Sequence, residues 1–157
     1  MPNAMTHGRI GAVSGLAATF LIPDDLPPDA RLTVCAAALV GGHVGGGIPD
    51  LIEPALHAWH RAFFHSAAAG TGVIWLGTTS VVTATRRLLD EAAQVRAHRL
   101  ALAASDPTRN DLWLHEHVRY VLVGLLIGLT AGYVSHLVAD ATTPRSLPVL
   151  GLKRLAS

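Results

Sequence analysis

At 157 residues the chain has the length of one domain, and half of it is hydrophobic while only 15% is charged, against about 25% in ordinary soluble proteins. That balance points to a membrane, with a soluble, tightly packed helical domain as the alternative. A net charge of +1 leaves no basic footprint for direct nucleic-acid binding, and a single cysteine, Cys35, excludes an intrachain disulfide and reads as core.

In chain order, the amino-terminal stretch has the outline of a signal peptide, with Arg9 before an apolar run and small residues at Ala17 and Ala18. Its one basic residue and its apolar continuation to Ile22 predict instead a retained first helix over residues 10–22, with His7 in front of it. The acidic, proline-rich residues 24–30 read as a surface turn. Residues 32–48 form a second apolar run, long enough to cover about 25 Å as a helix, although the glycines of GGHVGGG weaken it. Pro49 and Asp50 open a more polar segment to Arg61. Residues 63–84 form a third run, meeting the roughly 20 residues a bilayer requires.

Residues 85–104 carry Arg86, Arg87, Asp90, Glu91, Arg96 and Arg99 among leucines and alanines, the pattern of a solvated or headgroup-facing amphipathic helix. Asp106, Pro107 and Asn110 make a turn. The fourth run, residues 118–139, is the strongest transmembrane candidate, with Trp113 and Tyr120 at its interfacial start, and Thr142, Thr143 and Pro144 end it. The expected architecture is all-α: a single domain over 1–157, an integral membrane bundle of about four apolar helices plus one amphipathic helix. Basic residues divide almost evenly between the two faces and do not orient it.

His136 and Asp140 are four residues apart, so a helix stacks them on one face where both can grip one ion. A plain hydrogen-bonded pair is the alternative for that spacing taken alone. If all four runs cross the membrane, His7, Asp50, His57, His60, His65, His136 and Asp140 collect at one face. Asp50 directly follows a helical run, where a capping role is the competing reading. His60 and His65 are five apart, a spacing that suits neighbouring ions, or one ligand and one outer group. Arg61 between them can hold an anionic oxygen, or meet lipid phosphate. His43, His98, His115 and His117 read as structural or solvated.

Taken together, His7, Pro49-Asp50, His60-Arg61, His65-Ser66 and the block Gly132-Tyr133, Ser135-His136-Leu137, Asp140, Thr143-Pro144 resemble the YdjM family of inner-membrane metal-dependent hydrolases, also described as LexA-binding or LexA-regulated. The chain departs from that family at Ile52 and Glu53, where the family has aspartate and histidine, and at Trp59, Ala62 and Phe64. The resemblance implies metal ligands at His7, Asp50, His60, His65, His136 and Asp140. The ligand order is also similar to that of the zinc-dependent phospholipase C and P1 nuclease group, which favours phosphodiester hydrolysis by analogy. Nitrogen and oxygen donors suit one or two zinc ions, with manganese or iron as alternatives. Arg61 would offset charge on phosphorus oxygens and Glu53 would serve as base. The expected partners are membrane lipid and a phosphoester substrate, with either a second copy of the chain or a regulatory protein as the protein partner. The alternative function is a membrane-anchored regulatory protein with a LexA-type partner.

Overall fold

The computed structural model describes residues 4–52 and 67–141, with the side chains of 4, 67–78 and 141 left aside. All regular structure among them is helical: α1 (Ala4–Ala18), continued by a 3-10 turn over Thr19–Leu21, then α2 (Pro28–Ile52), α3 (Ala67–Ala101) and α4 (Thr108–Ala141).

Local chemistry sets the ends. The 3-10 turn closes with the Ile22 N–H donating to the Thr19 carbonyl at 3.1 Å, and the Thr19 hydroxyl donates to the Leu16 carbonyl. Pro28 opens α2, where its missing N–H costs nothing and its ring already holds a helical φ. Arg31 ties the preceding loop down by donating to the Pro23 carbonyl and to the Asp24 carboxylate. At the start of α4, Asp106 accepts from both the backbone N–H and the hydroxyl of Thr108, at 2.9 and 2.6 Å, with Pro107 between them. This is an N-cap followed by a first-turn proline.

Close backbone contact joins α1, α2 and α4. A Cβ at Gly42 would strike the Gly11 carbonyl oxygen, and a Cβ at Gly132 would strike the Gly42 carbonyl oxygen. Glycine is needed at this double crossing because only hydrogen leaves room for the opposing main chain. The order of neighbours gives the directions. Gly11 and Gly15 lie against Gly42 and Ala38, so α1 runs antiparallel to α2. Gly124, Gly128 and Gly132 lie against Val34, Ala38 and Gly42, so α4 runs parallel to α2. On α3, Arg99 pairs with Glu116 and Glu91 with Arg119, which sets α3 antiparallel to α4. A core of Ile22, Ala30, Val34, Ala92, Tyr120 and Val123 fills the end away from the carboxyl termini of α2 and α4.

Several expectations change. The first helix begins at Ala4, so His7 lies inside it rather than ahead of it. The glycines do not interrupt α2, which continues through Pro49 and Asp50 to Ile52. From Ala67 onward the third apolar run continues without a break into the amphipathic segment, in one helix that ends at Ala101. Asp106 and Pro107 belong to the turn that leads into α4, Asn110 already lies in its first turn, and Tyr120 is buried in the bundle. Cys35 is half-buried against the Thr19 hydroxyl, 3.6 Å away, and His43 is exposed with its ring over Gly8. Among the described residues two helices, Pro28–Ile52 and Thr108–Asp140, are long and apolar enough to cross a membrane. At 15 residues α1 is shorter than the roughly 20 needed, and the run over residues 63–84 lies partly outside the described residues.

Arginines assigned by pattern to a solvated face in fact build a second polar layer. Glu116 is fully buried and accepts from Arg96 at 2.8 Å and from Arg99 at 2.9 Å. Asp29 lies 3.6 Å from both Arg96 and His117, and His117 stacks on Trp113 while its Nδ1–H donates to the Trp113 carbonyl. Beside this layer, Glu91 accepts from Arg87 at 3.0 Å and from Arg119 at 3.3 Å.

Removing Glu116 would leave two guanidinium groups without their buried counter-charge. Glu116→Ala is therefore expected to cost about 3 kcal/mol, the lower end of the range for breaking a buried pair because Arg96 reaches the surface. Replacing Arg96, Arg99 and Glu116 together by apolar residues should cost far less, as measured by denaturation of the purified protein. At the other end of the scale, the Thr108 hydroxyl and N–H hold the Asp106 carboxyl below its usual 3.8. Its contribution to the start of α4 is present above that pH and is lost as pH falls through the lowered value. Hydrogen exchange should show the first turn of α4 losing protection there, while Asp106→Ala shows the loss at neutral pH.

Candidate metal centre

One end of the bundle gathers ionisable side chains from three helices. His7 comes from the first turns of α1, Asp50 from the last turn of α2, and His136 and Asp140 from the end of α4. His7, His136 and Asp140 are buried and Asp50 is half-buried. The helix spacing argued from sequence holds for His136 and Asp140, whose Nε2 and Oδ2 stand 3.7 Å apart.

The glycine crossing places this cluster. Gly46, one turn beyond Gly42 on α2, has no side chain, and a Cβ there would strike the His7 carbonyl oxygen. The open main chain lets the His136 imidazole reach in, and its Nδ1 lies 2.7 Å from the Gly46 carbonyl oxygen. A carbonyl only accepts, so Nδ1 carries the proton and Nε2 presents its lone pair toward the carboxylates. That second hydrogen bond is the usual device for orienting a metal-binding histidine. Pro49, one residue before Asp50, is buried in α2 and lacks the N–H that would bond to the Gly45 carbonyl.

The remaining distances are those of donors around a common centre rather than of direct hydrogen bonds. His136 Nε2 lies 3.8 Å from Asp50 Oδ1, and His7 Nε2 lies 3.5 Å from Asp140 Oδ1. The His7 and His136 rings stack with centroids 3.9 Å apart and an interplanar angle of 29°. Hydrogen bonds between such groups are 2.7–3.2 Å long. Donors bound tetrahedrally to one ion at about 2.0–2.2 Å stand roughly 3.4 Å from each other. One donor atom each from His7, Asp50 and His136 lies within 4.8 Å of the others, so these three form a group able to hold a metal ion. A second indication is that His7 Nδ1 is buried with no hydrogen-bond partner among the described residues, an unusual state for a polar atom. Asp140 lies beside this group, 3.5 Å from His7 and 3.7 Å from His136.

Of the residues singled out from sequence, His7, Asp50, His136 and Asp140 are brought together. His60, His65, Arg61 and Glu53, together with the reserve His57, lie outside the described residues. Reading the residues alone passed over the main-chain carbonyl of Gly46. Its signal was present in the four-residue spacing of Gly42 and Gly46, matched by Gly11 and Gly15 and by Gly128 and Gly132. Comparison with protein-family models, with curated proteins and with solved structures finds no match.

Because a Cβ at Gly46 would strike the His7 carbonyl oxygen and push α1 away from α2, Gly46→Ala should displace His7 from His136 and Asp50 and weaken metal binding about 10- to 100-fold, the size of effect seen when ligands lose their positioning. Titration of the purified protein against a competing chelator measures this. An unchanged affinity would show that the close approach of α1 to α2 at Gly46 has no part in positioning the cluster.

Proposed function

We propose that the protein is a multi-pass membrane protein of the cell's inner membrane and a metal-dependent hydrolase of a phosphoester, such as a phospholipid. The observation that carries this reading is the meeting of His7, Asp50 and His136 within 4.8 Å at one end of an apolar bundle. Imidazoles and carboxylates are costly to bury unless paired or bound to a cation, and three separate helices contribute to this cluster. The resemblance to the YdjM family is part of the proposal, and the site residues it shares with the described structure are His7, Asp50, His136 and Asp140.

His7, Asp50 and His136 would hold the ion, with Asp140 as fourth donor or as the group that orients both rings. Two nitrogens and two carboxylates favour zinc, with manganese or iron able to replace it. A bound divalent ion supplies Lewis acidity to the ester oxygens and makes water acidic enough to attack at neutral pH. The chain's own contribution is positional. The Gly46 carbonyl holds His136 in one tautomer, Asp140 fixes the His7 ring, and the packed ends of α1, α2 and α4 keep bulk water from the buried side of the cluster. Arg61 would face the anionic ester and Glu53 would take a proton. Membrane crossing is supported by the two long apolar helices and by apolar side chains left exposed around α1 and α2, among them Val13, Leu16, Leu39 and Val44.

The test is metal analysis and hydrolysis of a phosphodiester and of phospholipid vesicles by detergent-purified protein. Stoichiometric zinc and hydrolytic activity are expected, both lost in the His136→Ala, Asp140→Ala double variant and both removed by a chelator. Native protein free of metal and inactive on either substrate would sink the enzyme and leave the membrane-anchored regulatory protein as the reading.

A further inference from the structure

We propose that the exposed face of α3 around Arg86 and Asp90 is the contact between two copies of this chain in the membrane. The inference rests on the multi-pass reading above and does not depend on the hydrolase.

It begins with a mismatch of surroundings at one height of the bundle. From Glu116 in one polar layer to His136 in the other, α4 rises about 30 Å at 1.5 Å per residue, close to the thickness of a hydrocarbon core. Between these layers lies the level of Val123, where Gly124 meets Val34 of α2 and where Thr19, at the end of α1, meets Cys35. On the α1 and α2 side, that level exposes Phe20 at 85%, Leu21 at 88% and Leu32 at 72%, a surface made for acyl chains. On the α3 side, Leu88 and Leu89 pack against the cluster containing Val123. The two residues just before them, Arg86 and Arg87, are exposed there, as is Asp90. One flank of the molecule therefore shows hydrocarbon and the other shows ions at the same depth. Charged groups at such depth pair with one another or face a protein interior.

The sequence of α3 favours a second copy as the cover. Thr83, Arg86, Asp90, Ala93, Ala97 and Leu100 are all exposed, and they follow one another at alternating steps of three and four residues, the spacing of a seam between supercoiled helices. The seam is self-complementary in charge. With two parallel copies related by a two-fold axis along the membrane normal, Arg86 of each meets Asp90 of the partner subunit one turn along. Glu91 is already engaged, accepting from both Arg87 and Arg119, which leaves the opposite charges at 86 and 90 as the pair aligned on the seam. Ala93 and Ala97 then let the two main chains approach closely. A two-fold interface of this kind is closed and uses the same patch on both subunits.

Single-cysteine crosslinking in native membranes tests the assignment. In a Cys35→Ala background, oxidation with copper phenanthroline should give a dimer-sized species for Ala93→Cys and for Ala97→Cys, and none above background for Val13→Cys or Leu39→Cys on the opposite flank. Arg86→Asp and Asp90→Arg should each reduce the seam crosslink to the control level, and the two together should restore it. Monomer at every position, equal crosslinking on both flanks, or no recovery in the combined variant would each overturn the proposal. Alkaline carbonate extraction of the same membranes separates the two premises. Release of the chain would refute the membrane reading itself, whereas a retained chain without a seam crosslink would refute only the paired α3 faces.

Discussion

Everything at the polar end of this bundle depends on how closely three main chains approach at Gly42. With hydrogen in place of a side chain there and at Gly11 and Gly132, α1 and α4 both rest directly on the α2 backbone. The van der Waals gain of such contact is spread over many atoms, and in an apolar surrounding it is the main force holding helices together. The same approach brings Gly46 under the His136 imidazole and makes a backbone carbonyl part of the site. A larger side chain at the crossing would separate the helices and disperse His7, Asp50 and His136, although none of those residues would itself have changed.

The bundle carries its polar groups in two layers of different character. At the end away from the carboxyl termini of α2 and α4, Glu116 is neutralised by direct contacts with Arg96 and Arg99 at 2.8 and 2.9 Å, with Asp29 standing farther off, 3.6 Å from Arg96. A network satisfied in this way gives α3 and α4 one register and has nothing left over for a ligand. At the other end the donors stand 3.5–3.8 Å apart, too far for hydrogen bonds and near the separation that a shared cation produces. This difference in spacing, more than the kind of residue present, is the reason a metal is proposed for one layer and a structural lock for the other.

The third helix joins two environments. Its residues 88, 89 and 92 belong to the apolar core, its residues 96 and 99 to the buried lock, and its outer face to ions and small side chains. As a lone element it reads as amphipathic and extramembrane. Packed antiparallel along α4, the same face comes to lie at the level of Phe20 and Leu21, where, on the proposed membrane reading, an arginine would have no water to meet. The proposed pairing of two copies follows from that placement.

Composition and apolar runs were enough to predict an all-helical chain, because helix formation depends on residues close together in sequence, but of about four apolar helices expected, two among the described residues are long and apolar enough to cross a membrane. The four-residue step from His136 to Asp140 likewise carries its own geometry. Helix boundaries were less legible: Pro49 suggested an end where α2 continues, and the charges after Ala84 suggested a new element where α3 runs on, since tertiary packing outweighs such local signals. The partnership of His7 with His136, the use of the Gly46 carbonyl and the burial of Glu116 between two arginines join residues far apart along the chain. Only the tertiary structure decides them, because the distance between main chains at a helix crossing is set by both helices at once and is written in neither alone.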